Sequence, residues 1–413
     1  MKRMLMVGAG SCQINAIKKL KATGIYVVAA DYNLMTEGKR LADAHEIADA
    51  FDEEAIYECA VKHQVDGIMT TGTDQPVLVV ARVAERLGLP HFIDSDTALW
   101  VTNKKAMKHR FHQFKIPTAP FAVINHQFSP TALMGIKPPY VIKPLDSQGQ
   151  RGIYKVDTID EIRQRFDDVL VHSRSHEILV EQYYESTEVT VSGWVSRGRA
   201  SILTVTDRIA FPSEEKIGVC LAHEYPSRHM ATYGQKIDDL TGQIVTQFGI
   251  EEGPIYFQFL IGDKGIWVNE IACRLGGAYE DVTIPLVTGV DVLSLNIEGA
   301  LGIPLAVLPK EKHALVGAFN TQLFFCNPGE ITNMTPISEI KALPFVVDAG
   351  YNYRIGDTIG AVENASQRAG FFIVTGESPQ DLHHHVAQVY RLLRIETRDG
   401  INLVRPFDYG NTL

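Results

Sequence analysis

The sequence has 413 residues, 45% hydrophobic and 21% charged, an ordinary globular composition that implies two or three cores at roughly 150 residues per domain. A formal net charge of −10 with no long basic run argues against nucleic-acid binding, which needs a field of Lys and Arg facing the phosphates. No stretch approaches the roughly 18 consecutive apolar residues of a membrane span, and the scattered Cys12, Cys59, Cys220, Cys273 and Cys326 form no C-x-x-C pair, so they read as reduced thiols of a cytoplasmic protein.

The opening apolar run is about five residues long and leads into Lys18 and Lys19, which suits a first strand and not a signal peptide. A strand over residues 4–7, a helical pattern through Leu20 and a strand over residues 26–30 ending at Asp31 make one βαβ unit. A strand over 67–71, a helix over 77–87 and a strand over 91–93 continue it, so residues 1–100 are expected to form a doubly wound α/β domain. Gly8-Ala9-Gly10 after the first strand, with Asp31 about twenty residues on, invites a dinucleotide reading. Gln13 stands where the third glycine belongs, which leaves a relic of the fold or a substrate-side loop as the better reading.

Past Thr102 the pattern changes. Met107, Phe111 and Phe114 fall at helical spacing, and Pro117 and Pro120 end that segment, so a second domain is expected over residues 101–309, in two parts, 101–180 and 181–309. Its middle is rich in strands and hairpins. From 310 to 413 short strands and one helix over 379–393 suggest a small α+β unit, and no internal repeat is seen. The adjacent His383, His384 and His385 point around a helix and read as surface residues.

Several polar features of the middle region suit a nucleotide. Lys104 opens the amphipathic helix, and Lys143 ends the strand Tyr140-Val141-Ile142, where a buried charge needs a partner such as a phosphate. The connection that follows contains Ser147, Gly149, Arg151 and Gly152: glycines turn backbone N–H groups toward an anion, Ser147 can donate and Arg151 offers a guanidinium. An ordinary hairpin loop reads equally well there. The strand ending in Glu181-Gln182-Tyr183 and the following Glu188 offer strand-edge backbone groups to a base and carboxylates to a ribose, although isolated acids are more often solvated. Around Gly262-Asp263-Lys264-Gly265 a three-residue loop with Gly265 left-handed would pair Gly262 with Ile266, Leu260 with Val268 and Gln258 with Glu270. A facing carboxylate and carboxamide suit a hard cation that takes its remaining ligands from phosphates and water. Arg274 follows Glu270 by four, and Gly276-Gly277 then open the backbone.

In this order the features resemble the ATP-grasp family over nearly the whole chain. The resemblance implies an N-terminal α/β domain, a two-part ATP-grasp domain and a small C-terminal α+β cap. It places Lys104 and Lys143 on nucleotide phosphates, the loop from Ser147 to Gly152 over them, Glu181, Gln182, Tyr183 and Glu188 at adenine and ribose, and Gln258 and Glu270 on Mg2+, with Mn2+ an alternative. Lys143 and Arg274 would be catalytic, Arg274 neutralising an acyl-phosphate. Gln258 and Ala272 depart from the pattern, standing where many members carry an acid and a metal-binding Asn, which puts a second metal in doubt. The E-x-x-x-R-x-G-G spacing, His223-Glu224-Tyr225-Pro226-Ser227 and the later VTGVD are similar to L-amino-acid ligases and related carboxylate-amine ligases. Residues 366–371 resemble the cap of biotin-carboxylase-like relatives.

The implied activity is ATP- and Mg2+-dependent joining of a small carboxylate to a small amine through an acyl-phosphate. Substrate contacts are expected around Asp207, Arg208, His223 and Tyr279. Alternatives left open are a sugar carboxylate as substrate, a nucleotide-binding sensor without catalysis, suggested by Gln258, and a nicotinamide-dependent oxidoreductase built on Gly8-Ala9-Gly10. No nucleic-acid or membrane partner is expected, and a homodimer is one open assembly.

Overall fold

A computed structural model describes residues 1–210, 217–305, 308 and 317–407. The first strands, β1 (Arg3–Val7), β2 (Tyr26–Asp31), β3 (Ala44–Ile47) and β4 (Gly67–Met69), form a parallel sheet in the order β3-β2-β1-β4, flanked by α1 (Ile14–Ala22), α2 (Glu37–Leu41), α3 (Glu53–His63) and α4 (Pro76–Leu87). Strand α-helix alternation with β1 central is the doubly wound pattern expected from the sequence. Side-chain caps start the helices: Asp52 accepts from Ala55 N–H at α3, and Thr36 from Lys39 N–H at α2. α4 begins with a proline and ends at Gly88, whose φ of +64° only glycine adopts without strain.

The strand expected over 91–93 does not form. Phe92 instead plugs a gap between distant elements: its ring meets Trp194 edge-on with centroids 5.6 Å apart, and a Cβ on Gly253 would lie 2.7 Å from it. Burying one aromatic ring there outweighs the few ladder bonds of a short edge strand.

α5 (Ser95–Thr102) and α6 (Lys104–Gln113) lead into a four-stranded antiparallel sheet of β5 (Phe121–Ile124), β6 (Tyr140–Pro144), β7 (Tyr154–Val156) and β8 (Ile178–Gln182), ordered β5-β8-β6-β7. α7 (Ile159–Leu170) covers it, burying Ile162, Phe166 and Val169 against Ile142 and Val180.

The largest sheet contains β9 (Ser186–Ser196), β10 (Arg199–Ala210), β11 (Cys220–Tyr225), β12 (Glu252–Gly262) and β13 (Gly265–Ala272), with α8 (Met230–Phe248) between β11 and β12. α9 (Glu280–Thr288) and α10 (Val292–Ala300) follow β13 at 119° to each other. Beyond them come β14 (Ala318–Gln322), β15 (Gly329–Glu330), β16 (Asn333–Met334), α11 (Ile337–Lys341), β17 (Val346–Tyr351), β18 (Thr358–Ile359), β19 (Gly370–Gly376), α12 (Pro379–Leu392) and β20 (Ile395–Glu396). The sheet runs β13-β12-β9-β10-β11-β14-β19-β17 without a break. The C-terminal region therefore extends the sheet begun by β9, and the expected boundary at 310 lies outside the described residues.

Alternation along these strands separates two faces. Val189, Val191, Val205, Phe257 and Phe259 pack against Ile237, Leu240, Ile244 and Phe248 of α8. Glu188, Thr190, Ser192, Thr204, Thr206 and Gln258 alternate with that apolar set, and most are buried. A buried polar face is costly unless something satisfies it. Further along, Trp194 and Leu203 join Met4, Met6, Ile17 and Met69 of the N-terminal unit and Ile284, Val292 and Ile297 of α9 and α10 in one core. Among the described residues no single helix is long and apolar enough to cross a membrane.

Candidate active site

Between the four-stranded sheet and the polar face of the large sheet lies a cavity of about 400 Å3 lined by Lys104, Lys108, Lys143, Gln182, Tyr183, Glu181, Glu188, Arg208, Asn269 and Glu270. α6 supplies two of the cations. Lys104 and Lys108, one turn apart and so on the same helix face, are both buried. Lys104 Nζ lies 2.7 Å from Glu270 Oε1 and donates to the Ser147 carbonyl at 3.1 Å. Lys108 Nζ lies 2.6 Å from Glu181 Oε1 and 2.7 Å from Thr118 Oγ1. From the end of β6, Lys143 Nζ reaches Glu181 Oε2 at 2.5 Å and Asn269 Oδ1 at 3.1 Å.

These pairings set the protonation states. Burial works against the Glu181 carboxylate, but Lys108 and Lys143 outweigh it and hold the carboxyl down to about 2. Burial likewise opposes the Glu270 carboxylate and is overcome chiefly by Lys104, which lowers its pKa, and Glu270 in turn raises that of Lys104 against the pull of burial. Burial pushes Lys108 down despite Glu181, and the neighbouring Lys143 adds to the push. Three lysines thus meet two carboxylates in low dielectric, and a phosphate chain is the anion such lysines would exchange for.

The hairpin places the other polar pair. Gln258 faces Glu270, although the turn is shorter than the sequence suggests: Gly262 pairs with Gly265, Leu260 with Trp267 and Phe259 with Val268. A bulge at Asn269 inserts the missing residue and restores the Gln258–Glu270 pair. Both Asn269 and Glu270 consequently line the cavity. Gly265 does take a positive φ, +88°. Gln258 Oε1 is buried without a hydrogen-bond partner among the described residues, as is Glu188 Oε1, whose other oxygen accepts from Arg208 Nη1 at 2.8 Å. Among the described residues no group of three His, Cys, Asp or Glu side chains can hold a metal. One carboxylate beside an unsatisfied carboxamide oxygen fits a Mg2+ ion that takes most of its ligands from phosphates and water.

The glycine-rich connection spans Asp146 to Gly152, with positive φ at Gly149, Gln150 and Gly152. Gln148 Oε1 accepts from Gln75 N–H at 3.0 Å, and the Gly149 carbonyl accepts from Ala365 N–H at 3.1 Å. The loop is thereby held by both terminal regions. Arg151 is exposed. On β8 and just beyond it, Gln182 Oε1 accepts from Lys137 N–H, and the Tyr183 ring lies 4.2 Å from Lys155 Nζ.

The remaining candidates lie elsewhere. Arg274 is engaged by Asp74, at 2.6 Å from Nε, and stacks over the Tyr256 ring at 4.1 Å. His223 is buried with Nδ1 3.0 Å from Thr206 Oγ1, and burial with Arg208 and Arg368 nearby holds it neutral. Tyr279 has φ +66° and stacks on Phe371 at 3.6 Å. Asp207 accepts from Ser227 Oγ at 2.6 Å and pairs with Arg228, on the strand position opposite in direction to Arg208. At the N-terminal glycine loop, Gln13 Oε1 accepts from Gly10 N–H and its Nε2 donates to the Thr71 carbonyl, so the side chain takes up a backbone donor of the loop. Of the three histidines His384 is exposed and the other two are half-buried: His385 stacks on Phe345 with centroids 3.9 Å apart, while His383 lies near Glu224.

Two family models match parts of the chain. Residues 136–281 match the model of the ATP-grasp domain, and residues 322–398 that of the L-amino acid ligase C-terminal domain 2. The chain carries an ATP-grasp domain. An L-arginine-specific L-amino acid ligase of Bacillus subtilis is 23% identical over 334 residues, which cover 78% of each chain. The L-amino acid ligase of Bacillus licheniformis has the same fold, with a TM-score of 0.81 at 18% identity over 96% of this chain and 99% of that one. So does the biotin carboxylase domain of Hydrogenobacter thermophilus 2-oxoglutarate carboxylase, solved with MgADP and bicarbonate, with a TM-score of 0.78 at 16% identity over 96% and 90% of the two chains.

Sequence reading missed Lys108, Asn269, Asp74, Glu280 and Arg368 of this ATP-grasp chain. Only Lys108 left a signal, being four residues from Lys104 and three from Phe111 on one helical stripe.

Proposed function

We propose that this ATP-grasp chain is a carboxylate-amine ligase that phosphorylates a small carboxylate with ATP and transfers the acyl group to an amine, forming a dipeptide-like amide with ADP and phosphate. The observation that carries it is the convergence of Lys104, Lys108 and Lys143 on Glu181 and Glu270 beside the unsatisfied oxygen of Gln258. Likeness to ligases of amino acids supports the amide product.

In this reading Lys104 and Lys143 turn from their carboxylates to the phosphate oxygens, and the loop from Ser147 to Gly152 presents backbone N–H groups to them. Gln182 and Tyr183 flank the base, and Glu188 accepts from the ribose. Gln258 and Glu270 would hold Mg2+, which when bound supplies charge neutralisation on the phosphates. Arg274, at the end of β13, stabilises the negative charge on the acyl-phosphate. Residues 1–100, 101–309 and 310–413 would act as substrate-side, nucleotide and cap units around the cavity.

The deciding measurement is ADP release in the presence of Mg2+ and a panel of the twenty L-amino acids offered in pairs, with product mass as the second readout. Carboxylate-dependent ADP release is expected, and Lys143→Ala should raise the KM for ATP by at least about tenfold, since a charge-assisted bond contributes about 1.5 to 3 kcal/mol. Tight NAD binding without ATP binding would overturn the reading.

A further inference from the structure

Beyond Gln258 on the same face of β12 lies Tyr256, with Arg274 and Glu280 near it, and Cys12 lies near Arg274, Glu280 and Arg368, so three further parts of the chain meet here. Glu280, in the first turn of α9, is 6% exposed. Its Oε2 accepts from Ala278 N–H at 2.7 Å, but its Oε1 is buried without any partner among the described residues. A buried carboxylate oxygen lacking a donor is costly and rare in a folded protein. The sequence makes room for it: the carboxylate lies so close over Gly276 that any side chain there would collide with it. Arg368 mirrors this arrangement. Its Nη1 donates to the Gly277 carbonyl at 3.5 Å, and its Nε is buried with no acceptor among the described residues. Gly277 C=O and Ala278 N–H belong to one planar peptide group, so an unsatisfied acceptor and an unsatisfied donor are anchored on the two sides of a single peptide.

We infer that this cluster is the acceptor site of the ligase, taking an amine that carries its own carboxylate, with Glu280 receiving a proton from the amine and Arg368 binding the carboxylate. This rests on the ligase reading. An α-amino acid arrives as an ammonium and is not a nucleophile until it loses a proton. Glu280 Oε1 takes that proton. The neutral amine then attacks the acyl carbon; the C–N bond forms, the C–O bond to phosphorus breaks with its electron pair leaving on phosphate, and the second nitrogen proton goes to the departing phosphate. Burial raises the Glu280 carboxyl against the backbone N–H groups and Arg274 that favour its anion, which brings it nearer the pKa a base needs at neutral pH. Arg274, held by Asp74, adjoins Tyr256 and Glu280 as well as the end of the Glu270 strand, so one cation lies between the two half-sites.

Two half-reactions separate this assignment from the parent reading. With the pair of amino acids that gives wild-type product, acyl-phosphate is measured by trapping with hydroxylamine and amide by mass. In Glu280→Gln, which keeps the bond to Ala278, amide formation should fall by about a hundredfold, the usual contribution of a general base, while trapped acyl hydroxamate falls less than about threefold. Arg368→Ala should raise the KM for the acceptor at least about tenfold but leave that for the same acceptor as its primary amide within about twofold. Amide formation by Glu280→Gln within threefold of wild type, or equal loss of both half-reactions, overturns the role of Glu280. Equal effects on acid and amide acceptors overturn that of Arg368. A wild type that yields neither hydroxamate nor amide with any pair overturns the ligase reading itself, and the acceptor site with it.

Discussion

Glu270 has Lys104 on one side and Gln258 on the other, so a single carboxylate joins the buried Lys104 to the proposed metal position. Its removal and that of Gln258 should differ. Glu270→Gln takes away the anionic ligand and is expected to reduce turnover more than about a hundredfold and to weaken Mn2+ binding seen by paramagnetic resonance, whereas Gln258→Ala, losing only a neutral oxygen, should cost about tenfold or less. Metal binding unchanged in Glu270→Gln would rule out this pair as the site. Glu181 makes a prediction about acid stability. Its folded pKa lies near 2, below the ordinary 4.5, so its ion pairs stabilise the fold fully above pH 4.5 and lose that contribution as pH falls toward 2. Urea unfolding should show Glu181→Gln less stable than wild type at pH 7 by up to about 3 kcal/mol, with the gap narrowing below pH 4.5. A gap that stays constant down to the acid transition would mean that the carboxylate is not held by the lysines.

At the scale of elements, close backbone approaches position the site. The Asn269 bulge turns two consecutive side chains, Asn269 and Glu270, toward the cavity, which an unbroken strand cannot do. β4 and α10 meet without a side chain between them, because a Cβ on Gly67 would overlap the carbonyl oxygen of Ala300. Backbone cannot swing away as a long side chain does, so Gly67→Ala should destabilise the protein by about 1 to 3 kcal/mol. The denaturant midpoint measures it, and an unchanged midpoint would show that the two elements move apart freely.

For the whole molecule, the N-terminal unit and the rest share a core, with Met4, Ile17 and Met69 packed against Trp194, Ile284 and Ile297. Asp74 and Arg274 form a buried ion pair across that junction, with side chains 17% and 8% exposed. Asp74→Ala strands a buried guanidinium and is expected to cost about 3 kcal/mol and to lower ligase activity by displacing Arg274. A loss below about 1 kcal/mol by urea unfolding would show that this pair does not hold the junction. The loop from Asp146 to Gly152 adds a polar tie between the two ends of the chain through Gln75 and Ala365.

The sequence by itself determined what depends on neighbours along the chain. The βαβ order of the first domain, the lysines that open α6 and end β6, and the helix at 379–392 follow from periodicity and capping, which act over a few residues. The facing of Gln258 and Glu270 was legible too, though the loop length behind it was not: a shorter turn and the bulge offset each other, and bulges carry no reliable local signal. What the tertiary structure alone decided is which charges meet. Lys108 with Glu181, Arg208 with Glu188 and Arg274 with Asp74 are separated by 20 to 200 residues, and in sequence each is indistinguishable from a solvated surface charge. Glu280 and Arg368 are the extreme case, since the meaning of both lies in a missing partner. Burial creates that need, and burial is a property of the packed molecule rather than of any segment.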